Sequence, residues 1–325
     1  MKIAFYARGE FDGLSINEAL GGTESSVIFL SKELAKLGND VTVFSNCKRP
    51  GKYSGVAYKD TLDFSGSFDV LVAVREFEIL KDADSMLKII WLHDAPDQPV
   101  IQTQIHDWPL ADRLFTVSRW QAERYAEHFV IPREKFFITR NGVNRPDFQN
   151  LPKKNPNKLI YLSAAYRGLD ILLEIFPEIK KIFPDTSLSV CSYFEGKQKN
   201  LEGVNFLGRL RRSEMLRELQ KSYIMTYTNT FHETSCIAAM EAQASGTPVI
   251  ASKLAALPET VSGGMLIDGD PKSEDYKEKF LSAILELIES KEKWLELSKK
   301  GREFILKNNT WDIIAKEWLE EFNSL

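Results

Sequence analysis

The sequence predicts an α/β protein built from two doubly wound domains, each a parallel sheet with helices on both faces. Short apolar runs typical of buried strands alternate with stretches in which apolar residues recur at helical spacing. This alternation occurs twice, on either side of a polar stretch. The length of 325 residues also favours two domains, at roughly 100–200 residues per domain.

The first half of the chain begins with a strand and a helix. Residues 3–6 are an apolar run, and an apolar stripe follows at helical spacing from Val27 to Leu37, with Gly38 placed to end the helix. Ser118 is predicted to cap a helix over residues 120–129. Further strands are predicted at residues 41–44, 70–74, 89–92 and 114–117.

A polar stretch at residues 150–158 contains two prolines and no periodicity, and it is the best candidate for a linker. The strand–helix pattern then restarts, with strands predicted at residues 159–162, 187–192, 224–227 and 248–251. Pro177 interrupts an apolar helical stripe and is expected to kink or divide that helix. Residues 273–325 are predicted to be entirely helical, with an apolar stripe after Trp311. We expect domains at residues 1–150 and 151–308.

Composition excludes several classes of protein. Apolar residues make up 43% and charged residues 27% of the chain, which is ordinary for globular proteins and unlike disordered or collagen-like chains. The net charge is −4 and neither half is basic, so we expect no nucleic-acid partner. The three cysteines are far apart, which suggests neither a disulfide framework nor a zinc site.

The sequence predicts a cytoplasmic protein. The apolar run at the N-terminus is too short for a signal-peptide core, and no window approaches 18 consecutive apolar residues. A peripheral contact with the inner face of a membrane stays open, although no basic amphipathic helix stands out.

Two features of the first half are candidates for chemistry. Gly21-Gly22-Thr23-Glu24 leads into a helix, where glycines and the helix dipole favour an anion, although a plain turn and helix cap explain the same residues. His93-Asp94 follows an apolar strand, and active sites of open α/β sheets lie at such strand ends. A histidine that only orders its loop is the competing interpretation.

The segment from Thr228 to Ala251 is the strongest feature of the chain. Its Glu233 and Glu241 are separated by seven residues in a helical stretch that is otherwise apolar. We expect Thr234 and Ser235 to cap this helix, with Glu233 at its N-terminus and Glu241 about two turns further along. Because burying a carboxylate requires a partner, the two glutamates favour a ligand over a solvated face.

Basic residues in the second half could complement those carboxylates. Arg167 follows a strand and opens a helix, where a guanidinium can hold a phosphate through two hydrogen bonds. The run Arg209-Leu-Arg211-Arg212 is more often a solvated loop. Two D-x-D sequences, at residues 82–84 and 268–270, are taken as chance, so we expect no metal site.

The combination resembles retaining glycosyltransferases of the GT-B fold, in particular family four, also called glycosyltransferase group 1. This resemblance is carried by the glycine loop with its helix, by RNGVN at residues 140–144, by YRGLDILL at residues 166–173, and by the double-glutamate segment with its following strand. It implies two Rossmann-like domains facing across a cleft, with the helix at residues 309–325 returning to the acceptor-side N-terminal domain.

The resemblance also implies roles for individual residues. Glu241 would hold the ribose of a nucleotide-diphosphate sugar, Glu233 would contact the donor sugar, and His93 would lie near that sugar. Glu233 and His93 are therefore the candidate catalytic residues. The expected donor-binding residues are Gly22, Thr23, Arg167, Arg209, Thr234, Ser235, Cys236 and Glu241.

Two positions depart from the family pattern. Ser163-Ala164 stands where the family has Gly-Arg, so Arg167, alone or with Arg209, must supply the positive charge for the diphosphate. Glu233-Thr-Ser-Cys stands where the family has Glu-Gly-Phe-Gly, which removes the flexibility of the glycines.

The expected reaction transfers a sugar to an acceptor hydroxyl with retention, without a metal or cofactor, and the acceptor is a glycan, a lipid-linked molecule or a small molecule. Two alternatives remain: a non-catalytic nucleotide-sugar-binding module, motivated by Ala164, and a nucleotide-sugar epimerase of the same fold.

Overall fold

A computed structural model of the chain describes residues 1–192 and 201–325. Contacts divide it into two compact units, one formed by Met1–Gly142 with Thr310–Leu325 and the other by Val143–Asn309. The sequence analysis places the boundary after residue 150, whereas the contacts place it after Gly142.

The first unit is built on one sheet. Its described elements are, in order, β1 (Lys2–Tyr6), α1 (Gly22–Lys36), β2 (Asp40–Ser45), β3 (Gly51–Tyr53), β4 (Val56–Asp60), β5 (Ser67–Val74), β6 (Asp84–Leu92), α2 (Pro99–Gln104), β7 (Arg113–Thr116), α3 (Arg119–Phe129) and β8 (Phe136–Ile138). The strand order is β3-β4-β2-β1-β5-β6-β7-β8. All pairings are parallel except that of β3 with β4, which is antiparallel.

The second unit is built on a fully parallel sheet. Its elements are β9 (Asn155–Leu162), α4 (Leu169–Ile182), β10 (Ser187–Cys191), β11 (Val204–Phe206), α5 (Arg212–Lys221), β12 (Ser222–Tyr227), α6 (Ile237–Ala244), β13 (Val249–Ser252), α7 (Leu257–Thr260), β14 (Gly264–Ile267), α8 (Glu274–Glu289) and α9 (Lys291–Asn308). The strand order β11-β10-β9-β12-β13-β14 is that of a Rossmann sheet. Its central strand β12 is buried along its whole length, and the neighbouring β9 is buried at residues 159–161.

The last helix, α10 (Trp311–Ser324), is part of the first unit. Trp318 is fully buried, and its ring lies 4.8 Å from that of Trp91 and 4.7 Å from that of Phe115. The indole N–H donates to the Thr139 hydroxyl across 2.7 Å. The apolar stripe recognised in the sequence therefore completes the core against one face of the first sheet.

The structure confirms the predicted α/β class and all nine predicted strands, and it adds five short strands that the sequence analysis missed. The five strands lie at or next to sheet edges, where a strand needs few apolar residues; they are β3, β4, β8, β11 and β14. The predicted N-cap Ser118 is confirmed, since its hydroxyl accepts from the Gln121 amide. Residues 273–325 form three successive helices.

Two local predictions differ from the structure in part. Helix α4 continues through Pro177 and is not divided there, and apolar side chains on both sides of the proline are buried. The linker predicted at residues 150–158 overlaps β9, which begins at Asn155, where that residue pairs with Ser222 of β12. Over the described residues, no helix combines the length and apolar character required to cross a membrane.

Candidate functional site

The second sheet contains a topological switch between β9 and β12. Strands β10 and β11 extend from β9 on one side, and β13 and β14 extend from β12 on the other. Ligands of open α/β sheets bind at such a point, outside the carboxyl ends of the strands. Arg167 follows β9 and Glu233 follows β12, and Arg167 Nη1 donates to Glu233 Oε1 across 2.8 Å. The structure thus brings two predicted site residues together at the switch point.

Gly168 places Arg167 at this point. Its φ of +110° is left-handed, and a Cβ there would lie 1.8 Å from the Thr228 carbonyl oxygen. The Arg167 carbonyl accepts from the Thr230 amide across 3.1 Å, so the two strand-end loops are joined through their backbones. Only glycine permits this close approach.

The guanidinium of Arg167 is held by an aromatic ring as well as by a carboxylate. Its Cζ lies 4.0 Å from the centre of the Phe231 ring, a cation–π contact. Burial disfavours the charged form, but the Glu233 carboxylate together with the hydroxyls of Tyr166 and Tyr227 outweighs burial, and the pKa of Arg167 is raised. Arg167 is therefore a fixed positive charge at the switch point.

Helix α6 begins later than the sequence predicts. Its N-cap is Cys236, and neither Thr234 nor Ser235 caps it through a side chain. The Glu233 carbonyl accepts instead from the Ala256 amide across 3.1 Å, which ties residue 233 outside the helix. The expected placement of both glutamates on one helix is therefore wrong.

The late start puts polar groups at the N-terminus of α6. The N-cap residue Cys236 does not cap the helix through its side chain, and the N-terminus of a helix favours an anion. The Ser235 hydroxyl oxygen is buried and has no hydrogen-bond partner among the described residues. A buried polar atom of this kind requires explanation, and a bound ligand supplies one. Cys236 itself is buried, which raises the pKa of its thiol and keeps it neutral.

Glu241 lies within α6 and is paired. Arg212 Nη1 donates to Glu241 Oε1 across 2.6 Å, and Arg212 Nη2 donates to Asp147 Oδ2 across 3.0 Å. The side chain of Glu241 is only 4% exposed. Burial opposes the charge of Arg212, but the two carboxylates raise its pKa. The basic run at residues 209–212 predicts a solvated loop, but Arg212 begins α5 and is the partner of a predicted site glutamate.

Arg209 stays a predicted donor-site residue. It is exposed in the loop between β11 and α5, three residues before Arg212 begins the helix. The arginine of this run that contacts a predicted site glutamate is Arg212.

The remaining predicted residues lie in the first unit. Gly22 and Thr23 open α1, after the N-cap Gly21. His93 follows β6, with its ring centre 4.5 Å from that of Trp91. Burial and the positive charge of Arg75 lower the pKa of His93 to about 3, so its imidazole is neutral near neutral pH.

Arg75 marks the switch point of the first sheet, at the end of β5 beside β1, and the sequence analysis missed it. It adopts a left-handed φ of +62°, which is uncommon for a residue other than glycine. Its guanidinium approaches Glu24 Oε1 at 3.8 Å and Asp94 Oδ2 at 3.4 Å. The sequence contains no signal for the strained backbone of Arg75, although its position directly after a predicted strand could have identified it as a candidate site residue.

The two units are Rossmann-like, with charged side chains at their switch points, and together they define a doubly wound α/β protein. Sucrose-phosphate synthase from Thermosynechococcus elongatus is similar over 99% of this chain and 98% of its own, with a TM-score of 0.76 and 17% identity. HepE from Anabaena, solved with UDP and glucose, is similar over 100% of both chains, with a TM-score of 0.75 and 15% identity. These likenesses confirm the predicted GT-B fold.

Residues 156–290 match the model of the family described as glycosyl transferases group 1. Among curated proteins, glycogen synthase from Mycobacterium tuberculosis (strain CDC 1551 / Oshkosh) is 25% identical over 170 residues. That match covers 47% of this chain and 40% of the relative, so the chain spans less than half of the relative's length.

Proposed function

We propose that this protein is a retaining glycosyltransferase that moves a sugar from a nucleotide-diphosphate sugar to an acceptor hydroxyl without a metal ion. The proposal rests above all on the Arg167–Glu233 pair, which puts a fixed cation and a carboxylate 2.8 Å apart at the switch point of a group 1 domain. A diphosphate needs the cation, and a sugar with several hydroxyls needs the carboxylate.

Breaking the bond between the sugar and the diphosphate leaves negative charge on the phosphate oxygens. Arg167 and the uncapped amides of α6 are positioned to stabilise that charge before it develops, which is an efficient form of transition-state stabilisation. The buried Ser235 hydroxyl adds a donor beside them. These protein groups supply the stabilisation for which other transferases use a metal.

Glu233 is assigned to the hydroxyls of the donor sugar and Glu241 to the ribose of the nucleotide. Arg212 holds Glu241 through Oε1, which leaves Oε2 for a hydroxyl donor. A carboxylate already fixed by an arginine loses little freedom when it binds a sugar, and this preorganisation favours affinity.

Similar proteins support the donor class. HepE has been solved in complex with UDP-glucose, and its fold is the same. The similar curated proteins include a glycogen synthase and a phosphatidyl-myo-inositol mannosyltransferase, so both glycans and lipid-linked molecules are candidate acceptors. His93, neutral near pH 7, is assigned to the donor sugar as a hydrogen-bonding group.

Calorimetric titration with UDP, GDP, ADP and their sugars tests the proposal. We expect one nucleotide series to bind and Glu241→Ala to weaken its binding about tenfold or more, since hydrogen bonds to a charged group are lost. Glu241→Gln is the second variant. It removes the charge but keeps the shape of the side chain, so it leaves no cavity beside Arg212 and is less prone to misfold than Glu241→Ala. Glu289→Ala, an exposed glutamate at the end of α8, is the matched control and should change nothing.

Turnover separates the proposed enzyme from a binding module. Glu233→Ala should lower the rate of sugar release or transfer more than it weakens nucleotide binding. Nucleotide affinity unchanged in both Glu241 variants would contradict the site assignment. Donor binding without turnover, with a full set of acceptors, would instead favour the binding module.

A further inference from the structure

Tyr227 ends strand β12 with its phenol fully buried at the switch point. Its hydroxyl donates to Glu233 Oε1 across 2.5 Å. Glu233 Oε1 therefore accepts from both Tyr227 and Arg167, and Oε2 takes part in neither bond. Two bonds to one oxygen fix the plane of the carboxylate more firmly than the arginine alone could.

Ser163 determines the direction of the Tyr227 hydroxyl. The two oxygens lie 3.1 Å apart. A phenol has one proton, and Tyr227 gives it to Glu233, so Ser163 must donate and Tyr227 accept between them. The result is a line of hydrogen bonds that runs from Ser163 through Tyr227 to the carboxylate.

A second tyrosine, Tyr161, packs against the ring of Tyr227. Tyr161, near the end of the adjacent strand β9, meets Tyr227 edge to face at 5.8 Å. Its own hydroxyl donates to the Ala164 carbonyl across 2.9 Å, which orders the turn that carries Ser163. The phenol of Tyr227 is therefore confined by packing and by both of its hydrogen bonds.

We propose that Tyr227 is a positioning residue for Glu233 in the proposed transfer reaction, with Ser163 orienting its hydroxyl. The inference rests on the proposed function, since it concerns how the sugar-contacting carboxylate is aimed. The inference explains why a serine stands at residue 163. It also explains why residue 227 is a tyrosine, since a phenylalanine would fill the same space in the core without a hydroxyl that needs a partner.

The test is Tyr227→Phe, which removes one oxygen and keeps the ring. We expect kcat for sugar transfer or donor hydrolysis to fall about tenfold, the size expected for a hydrogen bond to a charged group. KM for the donor and the affinity for the free nucleotide should change less than about twofold, because neither Arg167 nor Glu241 is disturbed. Ser163→Ala should lower kcat in the same way, by a smaller factor.

Tyr276→Phe is the matched control. Tyr276 is also fully buried, and its hydroxyl bonds to Ser252 at 2.7 Å rather than to Glu233. Both variants lose a buried phenol hydrogen bond, so both should lose comparable stability, but Tyr276→Phe should leave kcat unchanged. An equal fall of kcat in the two variants would overturn the inference.

A double-mutant cycle with Glu233→Ala separates positioning from general damage. In the Glu233→Ala background the Tyr227 hydroxyl has no carboxylate to aim, so Tyr227→Phe should change the residual kcat by less than about twofold. An undiminished tenfold effect in that background would refute the role.

A crystal structure of Tyr227→Phe gives a readout that does not depend on activity. A Glu233 carboxylate that has rotated away supports positioning by Tyr227, and one that has not moved overturns it. An active wild type with unchanged kcat in Tyr227→Phe refutes this inference alone. A wild type that turns over no nucleotide sugar removes the proposed function and this inference together.

Discussion

Arg212 donates to Glu241 across 2.6 Å, and their side chains are 14% and 4% exposed. The same guanidinium reaches Asp147, so one arginine joins the start of α5 to the middle of α6 and to the segment before β9. Opposite charges brought together out of water compensate each other's desolvation only while both are present. The pair is therefore a point of vulnerability for the second unit.

We expect Arg212→Ala to destabilise the second unit by about 3–5 kcal/mol, because it leaves a buried carboxylate without its partner. Urea unfolding followed by tryptophan fluorescence measures this loss. Arg217→Ala removes an exposed arginine from the same helix and should cost no more than about 0.5 kcal/mol. A loss below about 1 kcal/mol in Arg212→Ala would show that Glu241 finds another partner.

Gly168→Ala should disrupt the placement of Arg167. The new Cβ would meet the Thr228 carbonyl oxygen at 1.8 Å, so the two strand-end loops must separate. We expect a loss of at least about 3 kcal/mol, more than backbone strain alone, and a clear fall in the melting temperature by calorimetry. Gly208→Ala has a similar positive φ of +69° but no atom within 4 Å, and it should cost only about 1–2 kcal/mol. Equal losses in the two variants would rule out the steric explanation.

Trp318→Ala should show that α10 is part of the core of the first unit. Its indole is fully buried among aromatic rings and donates to Thr139. Truncation of such a side chain costs about 3–5 kcal/mol, which denaturant unfolding can measure. Leu62→Ala, at a position 93% exposed, is the control and should change stability little. Similar unfolding midpoints for the wild type and Trp318→Ala would contradict the observed packing.

His93 should make the stability of the first unit depend on acid. Its pKa of about 3 in the folded protein lies below the ordinary value of 6.5. The unfolded chain then binds the extra proton, so stability is complete above pH 6.5 and is lost as the pH falls towards 3, with a slope of up to about 1.4 kcal/mol per pH unit.

His93→Gln does not titrate in this range and should remove that part of the acid sensitivity. Unfolding midpoints at a series of pH values, compared between the wild type and the variant, provide the measurement. His106→Gln replaces a histidine whose side chain is 69% exposed and should follow the wild type. Parallel pH curves for the wild type and His93→Gln would show that the imidazole is not held in its neutral form.

Much of the candidate site could be predicted because its positions are local features of the chain. Arg167 and Glu233 each follow an apolar strand, and parallel strands present their carboxyl ends at one edge. The sequence therefore pointed to the edge of the sheet at which the structure brings Arg167 and Glu233 together. It also placed Gly168 beside Arg167, although the reason for glycine is a contact with Thr228, sixty residues further along the chain.

The partners of these residues could not be predicted in the same way. In the sequence, Tyr227 cannot be distinguished from the other apolar residues of its strand. Only the folded structure shows that its hydroxyl forms hydrogen bonds with Ser163 and Glu233. Arg212 reads as a member of a basic loop, and only the packing of α5 against α6 brings it to Glu241. The start of α6 was misplaced because a backbone bond from Ala256 holds Glu233 outside the helix.

The sequence by itself determined the class of fold, because alternating strand and helix periods allow few arrangements other than two doubly wound sheets. It also placed Arg167 and Glu233 after strands of the second half. Only the tertiary structure decided which cation neutralises which carboxylate: Arg167 with Glu233, and Arg212 with Glu241. The physical reason is that a buried charge is stabilised by whatever lies within a few ångströms of it, and that proximity is set by packing between elements distant in the chain.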